Sequence, residues 1–400
     1  MEEEDFLKDP GTTECVDPWN GPEKDTLVQI YFWLDGVLRS IVASVGLLGN
    51  IFAMIVFSSK ELKSNFNLLL SVLALFDSGY LILTLIEEAL QMYDITSQGT
   101  LYPDPIYDPN VLWVNLYPKF IRPFKFIFFT AAEFFTVLIA VDRYVAIRYP
   151  FFHFSRRNRN HVSKRYINRR SAKENHSLTE TNQVNYNLIK VYSASILLLS
   201  TIYCLPVFFE YEKIPASENN TASVNETAMN KSESYTIIYY VTLDIIFRFL
   251  IPVSILLYTN QFIYKTIKNQ AYSPNLEAAY QRRAQIMMLF GVVIMLIIVH
   301  LYRFGLNVYQ IPIHANLVDC GKDAKNQIMH LVAFFLITLN SSVNCFIYLV
   351  ASKKFRNVAL EKYLKLLALC PTWQCANSTA KYSGKANQDQ DGLKCNDRKR

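Results

Sequence analysis

Lys125, Phe129 and Glu133 recur at every fourth residue of an otherwise apolar stretch, so a helix there puts a cation, a ring and a carboxylate on one inward-facing stripe. Other apolar stretches are interrupted in the same way. Glu87 is followed by Glu88, Asp244 by Arg248 four residues on, and His300, Arg303 and Asn307 share one helical face. A charge inside hydrocarbon is costly unless it is paired or hydrated, so each of these residues is a candidate for function. Two readings are open. Either the charges pair among themselves, as Asp244 with Arg248, or they line a wet cavity of mixed charge. Four acids (Glu87, Glu88, Glu133, Asp244) and three strong bases (Lys125, Arg248, Arg303) do not all pair neatly, and such a cavity suits a charged peptide better than a lipid. Catalysis finds no support: the six histidines are scattered without a His-x-x-x-His pair, and there is no nucleophile–base pair or metal-ligand cluster.

The elements that must position these residues are membrane helices. The chain of 400 residues is 51% hydrophobic and 14% aromatic, and its 18% charged residues fall below the roughly 25% of soluble domains. Seven stretches are long enough to cross ~30 Å of hydrocarbon: Leu34–Ser58, Asn67–Tyr93, Pro118–Ile147, Leu188–Phe209, Tyr235–Tyr264, Arg283–Tyr309 and Ile328–Ala351. Residues 1–33 then form an outer tail and 34–351 the membrane domain. Met1 is followed by four acids, unlike the basic start of a cleavable signal, so the first span serves as its own insertion signal. Lys and Arg concentrate in the connection 151–187, after the fifth span and after the seventh, which places the N-terminus outside and the C-terminus inside. The net charge of +6 mostly reflects that sidedness and is no nucleic-acid footprint, because the basic residues are divided among juxtamembrane loops rather than gathered on one aromatic-rich face. Three glycosylation sequons, at Asn219, Asn225 and Asn230, cluster in the outer connection 210–234 and agree with this orientation.

Five short motifs fall at the same relative places along these spans. The first span holds Gly46-x-x-Gly49-Asn50, the second Leu73-Ala74-x-x-Asp77, and the third ends in Asp142-Arg143-Tyr144. The fifth carries Pro252, and the seventh carries Asn344-Cys345-Phe346-Ile347-Tyr348. In that order they resemble a rhodopsin-like (class A) G-protein-coupled receptor, an all-α membrane protein built as a seven-helix bundle with a short amphipathic eighth helix. The stretches Ile202-Tyr203-x-Leu205-Pro206-x-Phe208-Phe209-Glu210, His300-x-x-Arg303-x-x-x-Asn307 and Asn340-Ser341-Ser342-Val343-Asn344 with Lys353-Lys354-Phe355-Arg356 are similar to invertebrate receptors for FMRFamide and related neuropeptides.

The resemblance implies roles and partners. Arg143 would engage a heterotrimeric G protein, with Asp142 holding it at rest and Tyr144, Asn344 and Tyr348 completing the switch. Receptor kinases and arrestin would follow as partners inside the cell, an extracellular peptide outside it, and the lipid bilayer around it. Asn50, Asp77, Asn340, Ser341 and Asn344 would form the polar core, which in the family binds a sodium ion; Ala132 stands where the third span usually gives a hydroxyl, which weakens that site. The alternative is a hydrated carboxylate bonded to the Asn amides. Lys125 occupies the place of the amine-binding aspartate, so a small amine ligand is disfavoured. The resemblance points instead to an Arg-Phe-amide tail, its guanidinium on Glu87 or Glu88, its ring among Phe128, Phe129 and Tyr302, and its amide on His300 or Asn307. Cys345 replaces the seventh-span proline, and the sixth span lacks the usual Trp and Pro, so the switch is altered and a non-signalling decoy is a further possibility.

The seven cysteines give little framework. Cys204 and Cys345 lie in spans as small buried hydrophobes. Cys15 and Cys320 are outside and could pair, whereas the class A pair between the third span and the second outer loop is absent: Pro118 stands at one position, and residues 207–238 hold no cysteine. Residues 352–370 pattern as an interfacial amphipathic helix, which would leave Cys370 and Cys375 either palmitoylated or as free thiols of a flexible tail, 371–400. A multi-span transporter accounts for spans and buried charges, but no repeated half or paired broken helices are visible.

Overall fold

The computed structural model describes residues 24–98, 116–149, 186–214, 223–269, 276–314 and 324–368. Among them, six helices are long and apolar enough to cross a membrane: α1 (Tyr31–Phe57), α2 (Asn65–Ala89, continuing to Gln98), α3 (Tyr117–Arg148), α5 (Glu233–Thr266), α6 (Leu276–His314, whose apolar part is Arg283–Tyr309) and α7 (Lys325–Ala351). The seventh member of the bundle, α4 (Tyr186–Tyr203), is shorter, and a helix α8 (Lys353–Ala368) follows α7. Around the bundle α1 packs on α2 and α7, α2 on α3, α3 on α5, and α5 and α7 on the two sides of α6; α4 lies outside the ring against α3.

Local chemistry sets the ends. The Ser64 hydroxyl accepts the Asn67 N–H at 3.1 Å and caps α2, and Ser352 does the same for α8 through the Phe355 N–H at 3.2 Å. Arg356 donates to the last carbonyls of α7, Leu349 and Val350, at 2.8 and 2.7 Å. Pro118 sits in the first turn of α3, where a missing N–H costs nothing, and Pro123 stands where the π-type turn Tyr117–Ile121 gives way to α-helix. The expected fourth span Leu188–Phe209 is divided: helix stops at Tyr203, and Leu205–Phe209, with Pro206 in its first turn, winds as a tighter 3-10 turn. The first helix begins earlier than expected, at Lys24, and carries π-type turns over Tyr31–Arg39. One departure from an all-helical reading lies in the α4–α5 connection, where β1 (Tyr211–Ile214) and β2 (Ser223–Glu226) pair antiparallel with Tyr211 opposite Glu226.

Packing is densest where side chains are smallest. A side chain at Gly46 would fall 2.6 Å from the Ser342 Cα, so this glycine lets α1 and α7 meet backbone to backbone. The main core runs through Leu69, Leu73, Phe135, Ile139, Leu256, Leu289 and Tyr348. Leu48, Leu198, Leu257, Met287 and Val350 face outward and are exposed. An apolar belt of that extent suits lipid, not water.

Candidate functional site: two buried charge clusters above a polar core

The polar stripes converge, in the half of the bundle away from Arg143, as two clusters. In the first, α1, α2, α3 and α7 bring together Asp35, Arg39, Glu87, Glu88 and Lys125. Arg39 is 2% exposed; its Nη1 lies 2.6 Å from Asp35 Oδ1 and 2.8 Å from Glu88 Oε1, its Nη2 3.4 Å from Glu87 Oε2, and its Nε donates to Thr338 at 3.3 Å. Lys125 bonds Glu87 directly, and both cations sit over the Phe334 ring, 5.5 and 5.7 Å from its centroid. Three carboxylates thus face two cations. Glu88 is the least satisfied of them: although Arg39 is close, neither of its buried oxygens has an aligned hydrogen-bond donor.

In the second cluster α3, α5 and α6 contribute Glu133, Asp244, Arg248, His300, Arg303 and Asn307. Asp244 receives Arg303 at 2.8 Å, Asn307 at 3.0 Å and Arg248 at 3.3 Å. Glu133 meets His300 at 3.1 Å and Arg248 at 3.4 Å. The two guanidiniums flank Phe129, 4.8 and 5.3 Å from its centroid, and Arg248 also bonds Thr130. Two carboxylates face two guanidiniums, so the formal charge of this cluster balances.

These contacts correct the sequence expectation in particulars. Pairing prevails: Glu87 is held by Lys125, Asp244 by three donors, and Phe129 lies within 5.3 Å of two guanidiniums. Asn307 is spent on Asp244; His300 lies 3.1 Å from Glu133, neither of whose buried oxygens has an aligned hydrogen-bond donor, and Tyr302 donates to the Met329 carbonyl at 3.0 Å. Sequence reasoning missed Asp35 and Arg39, although their four-residue spacing inside an apolar stretch is the signal that singled out Asp244 and Arg248.

Beneath the clusters, Asn344 donates to Asp77 at 2.6 Å and Asn50 to the Ser341 carbonyl at 2.9 Å. The buried oxygens Asn50 Oδ1, Asn344 Oδ1 and Ser341 Oγ have no hydrogen-bond partner. Together with the Asp77 carboxylate they form an oxygen set that fits a small hard cation or water, to which α3 adds nothing at Ala132. Asn340 is a correction: it makes no bond to this group, and its own amide oxygen is buried without a partner. At the far end of α3, Arg143 is held by Asp142, at 2.5 and 3.1 Å, and lies 4.7 Å over Phe66. Tyr144 packs on Phe262 and Tyr258, and the fully buried Tyr348 on Phe57 and Phe355. Asn225 falls in β2 and Asn230 in the turn after it; Asn219, Cys15, Cys320, Cys370 and Cys375 lie outside the described residues.

Comparison with known proteins agrees with this architecture. The family described as 7 transmembrane receptor (rhodopsin family) matches residues 175–348. The FMRFamide receptor of Drosophila melanogaster is 27% identical over 367 residues, which is 89% of this chain and 58% of that protein's length. A seven-helix bundle with Asp142-Arg143-Tyr144 at one end is thus similar to rhodopsin-family seven-transmembrane receptors over residues 175–348 and to a receptor, rather than an enzyme, along 89% of the chain.

Proposed function

We propose that the chain is a cell-surface receptor for an extracellular neuropeptide, a short C-terminally amidated peptide ending in Arg-Phe-amide, and that it signals through a heterotrimeric G protein. The observation that carries the ligand class is the excess carboxylate of the first cluster. A membrane cavity holding one acid more than its own cations satisfy favours an added cation, and a planar guanidinium matches a carboxylate with two parallel hydrogen bonds. Of the two acids first considered, Glu88 is the better reader, because Glu87 already receives Lys125 and Arg39. Glu88 is 2% exposed, so a guanidinium reaches it only as the outer ends of α1, α2 and α7 part.

The rest of the reading follows the same sidedness. The N-terminus and the sequons at Asn219, Asn225 and Asn230 are outside, and Arg143, α8 and the tail are inside, where receptor kinases and arrestin act. The lysines of α8 lie along the headgroup layer with Phe355 turned inward. Sodium binds weakly at Asp77. The test is loading of a G protein with GTPγS in membranes from cells expressing the chain, using the peptide Phe-Met-Arg-Phe-amide as probe. Saturable, peptide-dependent loading is expected. None, with the protein at the surface and a panel of other amidated peptides equally silent, would overturn the reading.

A further inference from the structure

A third buried ion pair fastens the β1–β2 hairpin to the bundle. Glu210, 0% exposed, stands between the Leu205–Phe209 turn and β1. Its Oε2 accepts from Arg122, near the start of α3, through Nη2 at 2.9 Å and Nε at 3.2 Å. Its Oε1 accepts from the Tyr235 hydroxyl at 2.8 Å and from Tyr240, both on α5. Arg122 also donates to the Tyr240 oxygen at 2.9 Å and lies over Tyr211 of β1, 5.2 Å from the ring centroid. The other end of the hairpin returns to the same residue: the Thr227 N–H donates to the Glu210 carbonyl at 2.9 Å, and its hydroxyl to the Phe209 carbonyl at 2.8 Å. Both strands therefore start and finish at Glu210, and both of its carboxylate oxygens are bonded. A covalent fastening here is ruled out by sequence, since Pro118 stands near the start of α3 and residues 207–238 hold no cysteine.

We propose that Arg122 and Glu210 are positioning residues for ligand binding, forming a redox-independent latch that joins the hairpin to α3 and α5 and fixes the rim past which a ligand enters and leaves. The latch itself requires no ligand; its effect on ligand residence rests on the peptide-receptor reading. A buried pair is suited to this work because loss of either partner strands a charge in a dry site.

The experiment is hydrogen exchange of the full-length chain in lipid nanodiscs, comparing wild type with Arg122→Gln and Glu210→Gln, and wild type with and without a thiol reductant. Each variant is expected to speed exchange of Tyr211–Ile214 and Ser223–Glu226 by about tenfold or more, with Asn65–Ala89 unchanged, while reductant leaves the wild-type hairpin as it was. Where a charge variant fails to reach the membrane, Tyr235→Phe with Tyr240→Phe removes two donors, keeps the ion pair, and should speed hairpin exchange about threefold or more. Hairpin exchange at the wild-type rate in the variants, or loosened by reductant alone, would overturn the latch. Dissociation of labelled Phe-Met-Arg-Phe-amide should quicken with hairpin exchange, while GTPγS loading at saturating peptide stays at the wild-type maximum. Unaltered dissociation from a loosened hairpin would overturn the positioning role, whereas absence of peptide binding to wild type would count against the ligand reading and leave the exchange result to decide the latch.

Discussion

Around Arg39 three carboxylates face two cations, whereas around Asp244 two carboxylates face two guanidiniums. Both groups are buried, both join at least three helices, and both use aromatic faces to shelter their cations. The difference is one charge. A balanced cluster holds helices together and gains nothing from an added ion, while an acid-rich one carries a carboxylate whose cost falls when a cation arrives. On the proposed function, the second cluster serves cohesion of α3, α5 and α6, and the first would receive the ligand cation. It also accounts for Lys125: beside Glu87 it covers one acid and leaves Glu88 underserved.

The largest effect is expected outside both clusters, and it separates binding from signalling. Arg143→Ala should abolish GTPγS loading with peptide affinity within about threefold of wild type, because Arg143 lies at the opposite end of the bundle from the charges; normal loading would refute its assigned role. Next comes the balanced cluster. Asp244→Ala strands Arg248 and Arg303 with Glu133 alone and should cost about 3–5 kcal/mol, read as a clear fall in Tm in nanodiscs. Glu88→Gln, by contrast, removes the surplus charge and should change Tm little or raise it. Equal losses in Tm would erase the distinction between the clusters. Phe129→Leu removes the face shared by Arg248 and Arg303 and should cost about 0.5–2 kcal/mol of stability, again by thermal unfolding. The smallest effect is Asp77→Asn, which should alter the sodium dependence of peptide binding only slightly, since α3 offers no oxygen at Ala132; a large change would show that the remaining oxygens hold the ion unaided.

Much of this was legible in the chain. Hydropathy placed most spans within their helices, because lipid demands continuous apolar helix whatever the packing, although the first helix begins earlier than expected and the fourth span divides at Tyr203. The residues of the second cluster were legible as polar residues on inward stripes, and Asp142 with Arg143 as neighbours. Partner identity was less so. Which cation meets Glu87 depends on how α1, α2 and α3 are rotated about their axes, and the π-type turns over Tyr31–Arg39 shift that rotation in a way no spacing rule anticipates. Arg39 escaped notice because a single arginine near a span end reads as a residue snorkelling to the surface, whereas it turns inward to three acids. The hairpin was hidden for another reason: Tyr211–Ile214 and Ser223–Glu226 are short, polar strands whose ends are tied together by Glu210 and Thr227, a contact that no spacing in a polar loop announces.

The central claim, that the acid-rich cluster reads the ligand arginine through Glu88, is tested most directly by a double cycle. Potency of Phe-Met-Arg-Phe-amide and of its citrulline analogue, which keeps the shape and removes the charge, is measured on wild type and on Glu88→Gln. The account predicts that the variant loses about tenfold or more for the arginine peptide, the equivalent of roughly 1.4 kcal/mol, and less than about threefold for the citrulline peptide. Equal losses for the two peptides would show that Glu88 does not read the guanidinium and would contradict the account.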